Sequence, residues 1–345
     1  MTKTPTTVAP TRPARALLLV GCAGVLAVLC LLSLAIGARA IPLDEVLRAL
    51  TDPTRPGLDP EVRAIVRDTR TIRTLVAVVV GAALGLAGAV MQGLTRNPLA
   101  DPGLLGVSAG AAFGVVGAAA LLGVTALLAT VWFAFAGAAL AAVVVYLLGS
   151  RGRGGASPVK LALAGVAITY FLDSLTSGIA LTDPEALDRY RYWSSGSLSG
   201  HTFGTVLTVL PFLVGGALLA LSLGPSLNNL SLGEDVAASL GRNLNLIRLR
   251  AALSVTLLTG AAVAVTGPII FIGLVVPHVV RTVTGPDHRW LLPGSMLAAP
   301  CAVLLADIVG RVVVRPQELD VSLIAAFLGA PVFIAMIRRR RLAEV

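Results

Sequence analysis

The chain has 345 residues, of which 56% are hydrophobic and only 13% are charged, and its formal net charge is +9. Soluble domains carry roughly 25% charged residues, so this composition excludes an ordinary soluble enzyme. The positive charge does not indicate nucleic-acid binding, because much of it flanks apolar runs. Arg338 to Arg341 directly follow the last run and are typical of a cytoplasmic membrane flank.

Eight long stretches carry at most one charge, which is Asp173. They are residues 16–38, 74–95, 102–150, 161–182, 192–233, 251–280, 290–306 and 321–337. A helix needs roughly 20 apolar residues to cross a bilayer, so the longest stretches hold two crossings each. A backbone in lipid must satisfy its own hydrogen bonds, and these runs show no strand alternation. We therefore predict an all-α integral membrane protein with about ten transmembrane helices.

The first stretch predicts an uncleaved first helix that follows a cytoplasmic tail of residues 1–14. Its 23 residues exceed the roughly 7–15 of a signal-peptide core. Ten crossings place both termini in the cytoplasm. On that topology 16 arginines and lysines lie inside and 11 outside, which is the expected direction of bias. We expect one polytopic domain over residues 15–341 and a short tail at 342–345.

A weak internal repeat is visible in the two apolar halves. GAALGLAG at residues 81–88 resembles GAAVAVTG at residues 260–267. If five helices separate the copies, they enter the membrane from opposite sides, as in the inverted repeats of many transporters. The repeat would relate helices 2–5 to helices 7–10. A chance match in a chain rich in Ala and Gly is the alternative.

Several motifs follow one another between about residues 65 and 340. They are RTIRTL (70–75), the glycine-rich helix 81–92, RNPLADPGLLGVSAGA (96–111), LGEDVAASLG (232–241), FIGLVVPH (271–278), GPDHR (285–289) and LGAP (328–331). Together they resemble the FecCD family, the permease subunits of importers for iron-siderophores, haem and vitamin B12. The resemblance implies a multi-pass protein of the cytoplasmic (inner) membrane. It implies no catalytic residue, cofactor or metal in this chain.

Residues 225–250 form the polar cytoplasmic segment of the second half. SLGE at residues 231–234 predicts a capping box and Gly241 predicts a helix stop, so we expect a short surface helix from Glu234 to Leu240. The resemblance implies that this helix docks into an ATPase subunit and transmits its closure, and an ordinary interfacial loop is the alternative. Its contact residues would be Leu232, Gly233, Glu234, Ala237, Leu240 and Gly241.

The energy for transport is expected to come from another subunit. A P-loop needs Gly-Lys-Ser/Thr to hold nucleotide phosphates, and the two lysines of this chain, Lys3 and Lys160, follow Thr2 and Val159. The resemblance implies separate ABC ATPase subunits, an extracytoplasmic substrate-binding protein and a second permease copy or paralogue as partners. Whether the permease pair is homodimeric or heterodimeric stays open.

Three arginines are candidates for docking the binding protein. Arg70 and Arg73 stand just outside the second predicted crossing and Arg311 just outside the ninth. The resemblance implies that they receive glutamates from the two lobes of the binding protein through exposed ion pairs, which set orientation and on-rate. Ile72 replaces the proline usual between the first two. Alternatively, the arginines anchor helix ends by snorkelling. Asp307, four residues before Arg311, predicts an ion pair with it.

Asp173 lies inside the fifth predicted crossing, which lines the translocation path in similar permeases. It would face that path together with Thr176 and touch a polar substrate. The alternative is that it packs against Tyr170, Ser174 or Thr176 within the bundle. The three histidines share no helix-face spacing and therefore predict no metal site.

The leading prediction is the permease subunit of an ATP-driven importer, with a ferric siderophore as the favoured cargo and haem and cobalamin left open. The alternative is an ion-coupled secondary transporter, for which Asp173 and Asp307 are the candidate coupling acids. A membrane-embedded enzyme is a third possibility, but the chain shows no paired acids, metal ligands or nucleophile–base set to support it.

Overall fold

The computed structural model describes residues 12–37, 39–51, 59–124, 126–151, 158–241, 243–315 and 317–341. These residues form fifteen α-helices, one π-helical turn and one 3₁₀ turn, and they contain no strand. Most of the predicted N-terminal tail and all of the tail at 342–345 lie outside the described residues.

The described residues up to 194 form eight of these helices. They are α1 (Arg12–Ala35), α2 (Leu43–Thr51), α3 (Pro60–Ala64), α4 (Thr71–Thr95), α5 (Val107–Leu122), α6 (Leu127–Ser150), α7 (Pro158–Thr182) and α8 (Pro184–Ser194). A π-helical turn, Ile65–Arg70, joins α3 to α4 without a break, and a 3₁₀ turn, Pro102–Leu105, precedes α5. The second half holds α9 (Phe203–Ser222), α10 (Gly224–Ser231), α11 (Glu234–Ser239), α12 (Leu244–Thr266), α13 (Ile272–Thr284), α14 (His288–Val313) and α15 (Val321–Arg341).

Seven helical segments of the described chain are long and apolar enough to cross a membrane. They are α1, the continuous segment Pro60–Thr95, α6, α7, α9, α12 and α14. Three shorter apolar helices accompany them, within α5, α13 and α15. The predicted all-α membrane class is therefore confirmed.

The core lies around α4, which packs against α12, α13 and α14. Glycines allow this close approach. A Cβ on Gly88 would lie 1.8 Å from the carbonyl oxygen of Gly273, and a Cβ on Gly81 would lie 2.6 Å from the Cα of Pro300. Small residues at helix interfaces favour association in lipid because they let backbones meet. By contrast, α1 and α7 leave most of their apolar residues exposed, as helices that face lipid or another subunit do.

Each half contains an irregular break next to its most buried helix. After α4 the chain turns at Arg96, and before α13 it turns at Phe271. Both residues adopt left-handed backbone conformations, with φ of 52° and 67°, which non-glycine residues rarely do. The turn at Arg96 brings its side chain next to Glu234, and Phe271 packs against Phe333 of α15.

Candidate functional sites

The predicted coupling helix is α11, Glu234–Ser239, one residue shorter than expected. It begins after Gly233, whose φ is 113°, and Leu240 lies just beyond its end. Gly241 follows with a φ of 74°, so the predicted helix stop is confirmed. A left-handed glycine after the last turn is the usual way to end a helix.

The predicted capping box is wrong. Ser231 is the last residue of α10, and its hydroxyl donates to the carbonyl oxygen of Asn228 at 2.6 Å. Gly233 precedes α11 and supplies no capping side chain. Glu234 is therefore the first residue of α11 rather than the third. The positive φ of Gly233 reverses the chain between two helices, and this separation removes Ser231 from the end of α11.

Exposed apolar side chains lie on and beside α11, next to the exposed Asp235 and Ser239. Leu232, Val236 and Leu240 are 64%, 44% and 57% exposed, whereas Ala237 is fully buried against its own chain. Gly241 is also exposed. Large apolar side chains that cluster on a surface helix are typical of a contact with another protein. Of the predicted contact residues, Leu232, Leu240 and Gly241 are exposed, Gly233 and Glu234 are half-buried, and Ala237 faces inward.

Glu234 connects α11 to the centre of the bundle. Its Oε1 lies 2.8 Å from Nη2 of Arg248 in α12 and 3.7 Å from Nη2 of Arg96, which ends α4. The side chain of Arg248 is only 7% exposed, so this pair is screened less than a surface pair. One carboxylate therefore joins the surface helix to both of the central helices α4 and α12.

Asn228 makes a second connection, from α10 to the start of α14. Its Oδ1 accepts the backbone N–H of His288 at 2.8 Å and lies 2.9 Å from Nδ1 of that ring. Because an amide oxygen only accepts, His288 carries its proton on Nδ1. Nδ2 of Asn228 donates to Oδ1 of Asp287 at 2.6 Å. Burial raises the pKa of Asp287, but the hydrogen bonds from Asn228 and from the backbone of Arg289 outweigh it and hold that pKa below its usual value.

The predicted docking arginines lie at the opposite end of α4, and the expectation that they are exposed is wrong. Arg70, Arg73 and Arg311 are 5%, 8% and 2% exposed. Arg311 donates from Nη2 to Oδ2 of Asp307 at 2.6 Å, which confirms the predicted pair. Arg73 binds the other oxygen of Asp307, from Nε at 2.8 Å. A buried guanidinium must be paired and hydrogen-bonded, and Asp307 does this for two of the three.

Two partners of these arginines were missed by the sequence. Nη1 of Arg73 lies 2.5 Å from Oε2 of Glu318, in the segment between α14 and α15. Arg311 donates to the carbonyl oxygen of Ser33 at 2.9 Å and to its hydroxyl at 2.7 Å, which brings in α1. Glu318 could have been suspected as an acid at the correct end of a crossing. Ser33 sits in an apolar run and gives no signal.

Arg70 differs from the other two arginines in its contacts. Its Nη1 donates to the carbonyl oxygens of Leu34 at 2.8 Å and Ala35 at 2.9 Å, and its Nη2 donates to that of Arg39. Among the described residues no carboxylate is hydrogen-bonded to it. A cavity of about 200 Å³ opens beside this group, lined by Gly37, Arg39, Ile65, Thr69, Arg70, Arg73, Arg311 and Glu318. The arrangement can receive an anionic group.

Asp173 and Thr176 occupy different environments on α7. Thr176 is fully buried, whereas Asp173 is partly exposed beside Tyr170, which is 71% exposed. The hydroxyl of Ser174 donates to the carbonyl oxygen of Tyr170 at 2.7 Å, so it is engaged with the backbone of its own helix. Of the two residues predicted to line the path, only Asp173 reaches the outer face of this chain.

Comparison with known proteins matches almost the whole chain. The sequence model of the FecCD transport family covers residues 25–339. The ferric enterobactin transport system permease protein FepD of Escherichia coli (strain K12) is 50% identical over 310 residues, which are 90% of this chain and 91% of that protein. The probable siderophore transport system permease protein YfiZ of Bacillus subtilis (strain 168) is 42% identical over 275 residues, 80% of this chain and 83% of its own. A solved metal-chelate type ABC transporter in an inward-facing conformation superposes with a TM-score of 0.81 at 29% identity, over 94% of this chain and 99% of that one.

Proposed function

Because this chain belongs to the FecCD transport family, we propose that it is the permease subunit of an ATP-driven importer that moves a ferric siderophore from an extracytoplasmic binding protein to the cytoplasm. The single observation that carries the mechanism is α11, a short surface helix with exposed apolar side chains and an ion pair to the central helices. Relatives named for siderophore transport support the cargo. Ion-coupled secondary transport finds no support among the relatives.

In the proposed topology the chain crosses the cytoplasmic membrane ten times, with both termini in the cytoplasm. The three shorter apolar helices α5, α13 and α15 complete the set begun by the seven longer ones. The packing supports an inverted repeat of α4–α7 and α12–α15. The first helix of each repeat packs against the third helix of the other repeat: α4 packs against α14, and α12 packs against α6. Gly81 faces Pro300 of α14, and the matching Gly260 faces Phe135 of α6.

The proposed energy source is a pair of separate ABC ATPase subunits. Their closure would move α11, where the exposed Val236 and the flanking Leu232 and Leu240 offer the contact surface. The displacement would reach α4 and α12 through Glu234 and its two arginines, because an ion pair transmits motion between elements that it holds together. The path itself would lie between this chain and a second permease copy or paralogue, with Asp173 of α7 facing it.

The proposed docking site for the binding protein is the cavity around Arg70, Arg73 and Arg311. The burial of these arginines adds a requirement that the sequence did not suggest. A carboxylate of the partner must enter the cavity, and at Arg73 it meets Glu318. Complementary charge at such a site sets orientation and association rate more than affinity.

Reconstitution tests the proposed function. The chain is co-expressed with an ABC ATPase subunit, alone or together with a paralogous permease, placed in vesicles, and supplied with an extracytoplasmic binding protein and a radiolabelled ferric siderophore. We expect uptake that requires ATP and is insensitive to proton and sodium ionophores. Uptake by vesicles that contain the permease without any ATPase, driven by an ion gradient, would overturn the proposal.

A further inference from the structure

Among the described residues, Glu318 is the one carboxylate in the wall of the cavity that holds the arginines. Its Oε2 lies 2.5 Å from Nη1 of Arg73, so it occupies the one edge of that guanidinium that Asp307 leaves open. Asp307 takes Nε and Nη2 of Arg73 at 2.8 and 2.7 Å. Each of the three guanidinium nitrogens of Arg73 therefore contacts a carboxylate before any partner arrives.

The two acids differ in how firmly they are held. The side chain of Asp307 is 1% exposed and binds two arginines, whereas the side chain of Glu318 is 33% exposed and binds one. Breaking a buried pair leaves an uncompensated charge and is costly. Releasing a partly exposed carboxylate into water costs much less, since its pair contributes little. Glu318 is therefore the exchangeable ligand and Asp307 the fixed one.

The charge of the cavity favours one more carboxylate. In the part of the chain that the structure describes, the acids paired with Arg73 and Arg311 are Asp307 and Glu318. Arg70 is held by carbonyl oxygens instead. The fourth arginine, Arg39, has acids of its own, since it contacts Glu61 at 2.9 Å and Asp59 at 3.3 Å. The surplus positive charge can attract an acidic partner while Glu318 still covers Arg73.

We propose that Glu318 occupies, in the free permease, the position on Arg73 that a carboxylate of the binding protein takes on docking. Glu318 is displaced from Arg73 when this surface carboxylate of the binding protein enters the cavity. The inference rests on the proposed docking site. Because one carboxylate replaces another on the same nitrogen, docking forms no net new ion pair at Arg73. The competition weakens docking and lets the binding protein leave after delivery.

The test is the affinity of the binding protein for the complete permease–ATPase complex in lipid nanodiscs. We expect Glu318→Gln to tighten binding about fivefold, equal to about 1 kcal/mol, because the competitor is removed and Arg73 stays. The matched control is Glu185→Gln, the same chemical change at an exposed acid at the start of α8. The chain just after α8 lies near the segment that carries Glu318, because the carbonyl oxygen of Gly196 accepts a hydrogen bond from the backbone N–H of Ser322. We expect no change for Glu185→Gln.

Unchanged or weaker binding by Glu318→Gln would overturn the proposal, as would equal tightening by both variants, which would show a general loss of negative charge. If Glu318→Gln lowers the melting temperature of the complex, the Glu318→Asp variant is measured instead. The shorter aspartate side chain withdraws the carboxylate from Arg73, so this variant must also bind the binding protein more tightly. Failure of the proposed function looks different: ATP-driven uptake by the wild-type complex would then be absent.

Discussion

Arg73 and Asp307 lie 234 positions apart in the chain and meet through two contacts of 2.8 and 2.7 Å to the same carboxylate oxygen. The pair joins α4 of the first half to α14 of the second, and Asp307 extends it to Arg311. Both side chains of the pair are less than a tenth exposed. Such a pair is worth little compared with an apolar contact, but removing one partner leaves the other charge buried without compensation.

Asp307→Asn should therefore destabilise the protein strongly. It leaves Arg73 and Arg311 without their shared acid, and losses of this kind amount to about 3–5 kcal/mol. Thermal unfolding in detergent or nanodiscs measures the effect. The control is Asp188→Asn, which removes an exposed pair with Arg191 at 3.9 Å and should change stability by less than about 1 kcal/mol. Equal stability of the two variants would contradict the structural role of Asp307.

Glu234→Gln should uncouple transport from ATP hydrolysis. Hydrogen bonds to charged groups contribute about 1.5–3 kcal/mol, and 1.4 kcal/mol corresponds to tenfold, so we expect the uptake rate to fall about tenfold. Arg248→Gln should give the same loss. The measurement is the ratio of cargo imported to ATP hydrolysed in vesicles. Asp235→Asn, at the exposed neighbouring acid of the same helix turn, should leave that ratio unchanged.

Gly88→Ala should prevent the central helices from packing. Its new Cβ would lie 1.8 Å from the carbonyl oxygen of Gly273, so the two backbones must separate. Gly117→Ala in α5 meets nothing within 4 Å and should stabilise the protein by up to about 1 kcal/mol, because alanine favours the helix. The yield of folded protein after size-exclusion chromatography separates the two outcomes. Normal folding of Gly88→Ala would show that the backbones of α4 and α13 are not in contact at this position.

Asp173→Asn tests whether Asp173 faces the translocation path or packs within the helix bundle. If Asp173 faces the cargo, uptake should fall while the melting temperature stays the same, because no packing contact is lost. Ser174→Ala, whose hydroxyl is engaged with the backbone of its own helix, is the control and should have no effect on uptake. Unchanged uptake by Asp173→Asn would favour the alternative that the acid packs within the bundle.

Acidification should lower the stability of the folded protein through His201, in the loop between α8 and α9. Burial lowers the pKa of His201 below its ordinary value, although a hydrogen bond with the carbonyl of Ser197 opposes the shift. The unfolded chain then binds a proton more readily than the folded one, so stability falls as pH decreases below about 6.5. We expect a lower melting temperature at pH 5.5 than at pH 7.5. His201→Gln should remove part of this difference, and an unchanged profile would contradict the assignment.

The sequence predicts those features that depend on neighbours along the chain. Uncharged runs identify the apolar helices, Gly241 identifies the end of α11, and four-residue spacing identifies the pair of Asp307 with Arg311. It fails where partners are distant. Nothing near Arg73 indicates that Asp307 and Glu318 will reach it. The sequence also fails at Ser231. The residues SLGE at 231–234 are compatible both with a capping box and with the end of one helix followed by a turn at Gly233. Only the backbone conformation distinguishes the two.

The contact of Gly88 with Gly273 has a consequence for how the protein can move. Backbones that touch without side chains between them cannot slide or tilt against each other without breaking van der Waals contact along the whole crossing. We infer that α4, α13 and α14 travel as one rigid block through a transport cycle. We expect displacement relative to this block at α7, which packs against α5 and α6. A pair of spin labels on α4 and α14 should accordingly keep one distance when nucleotide is added, while a pair on α7 and α14 should not.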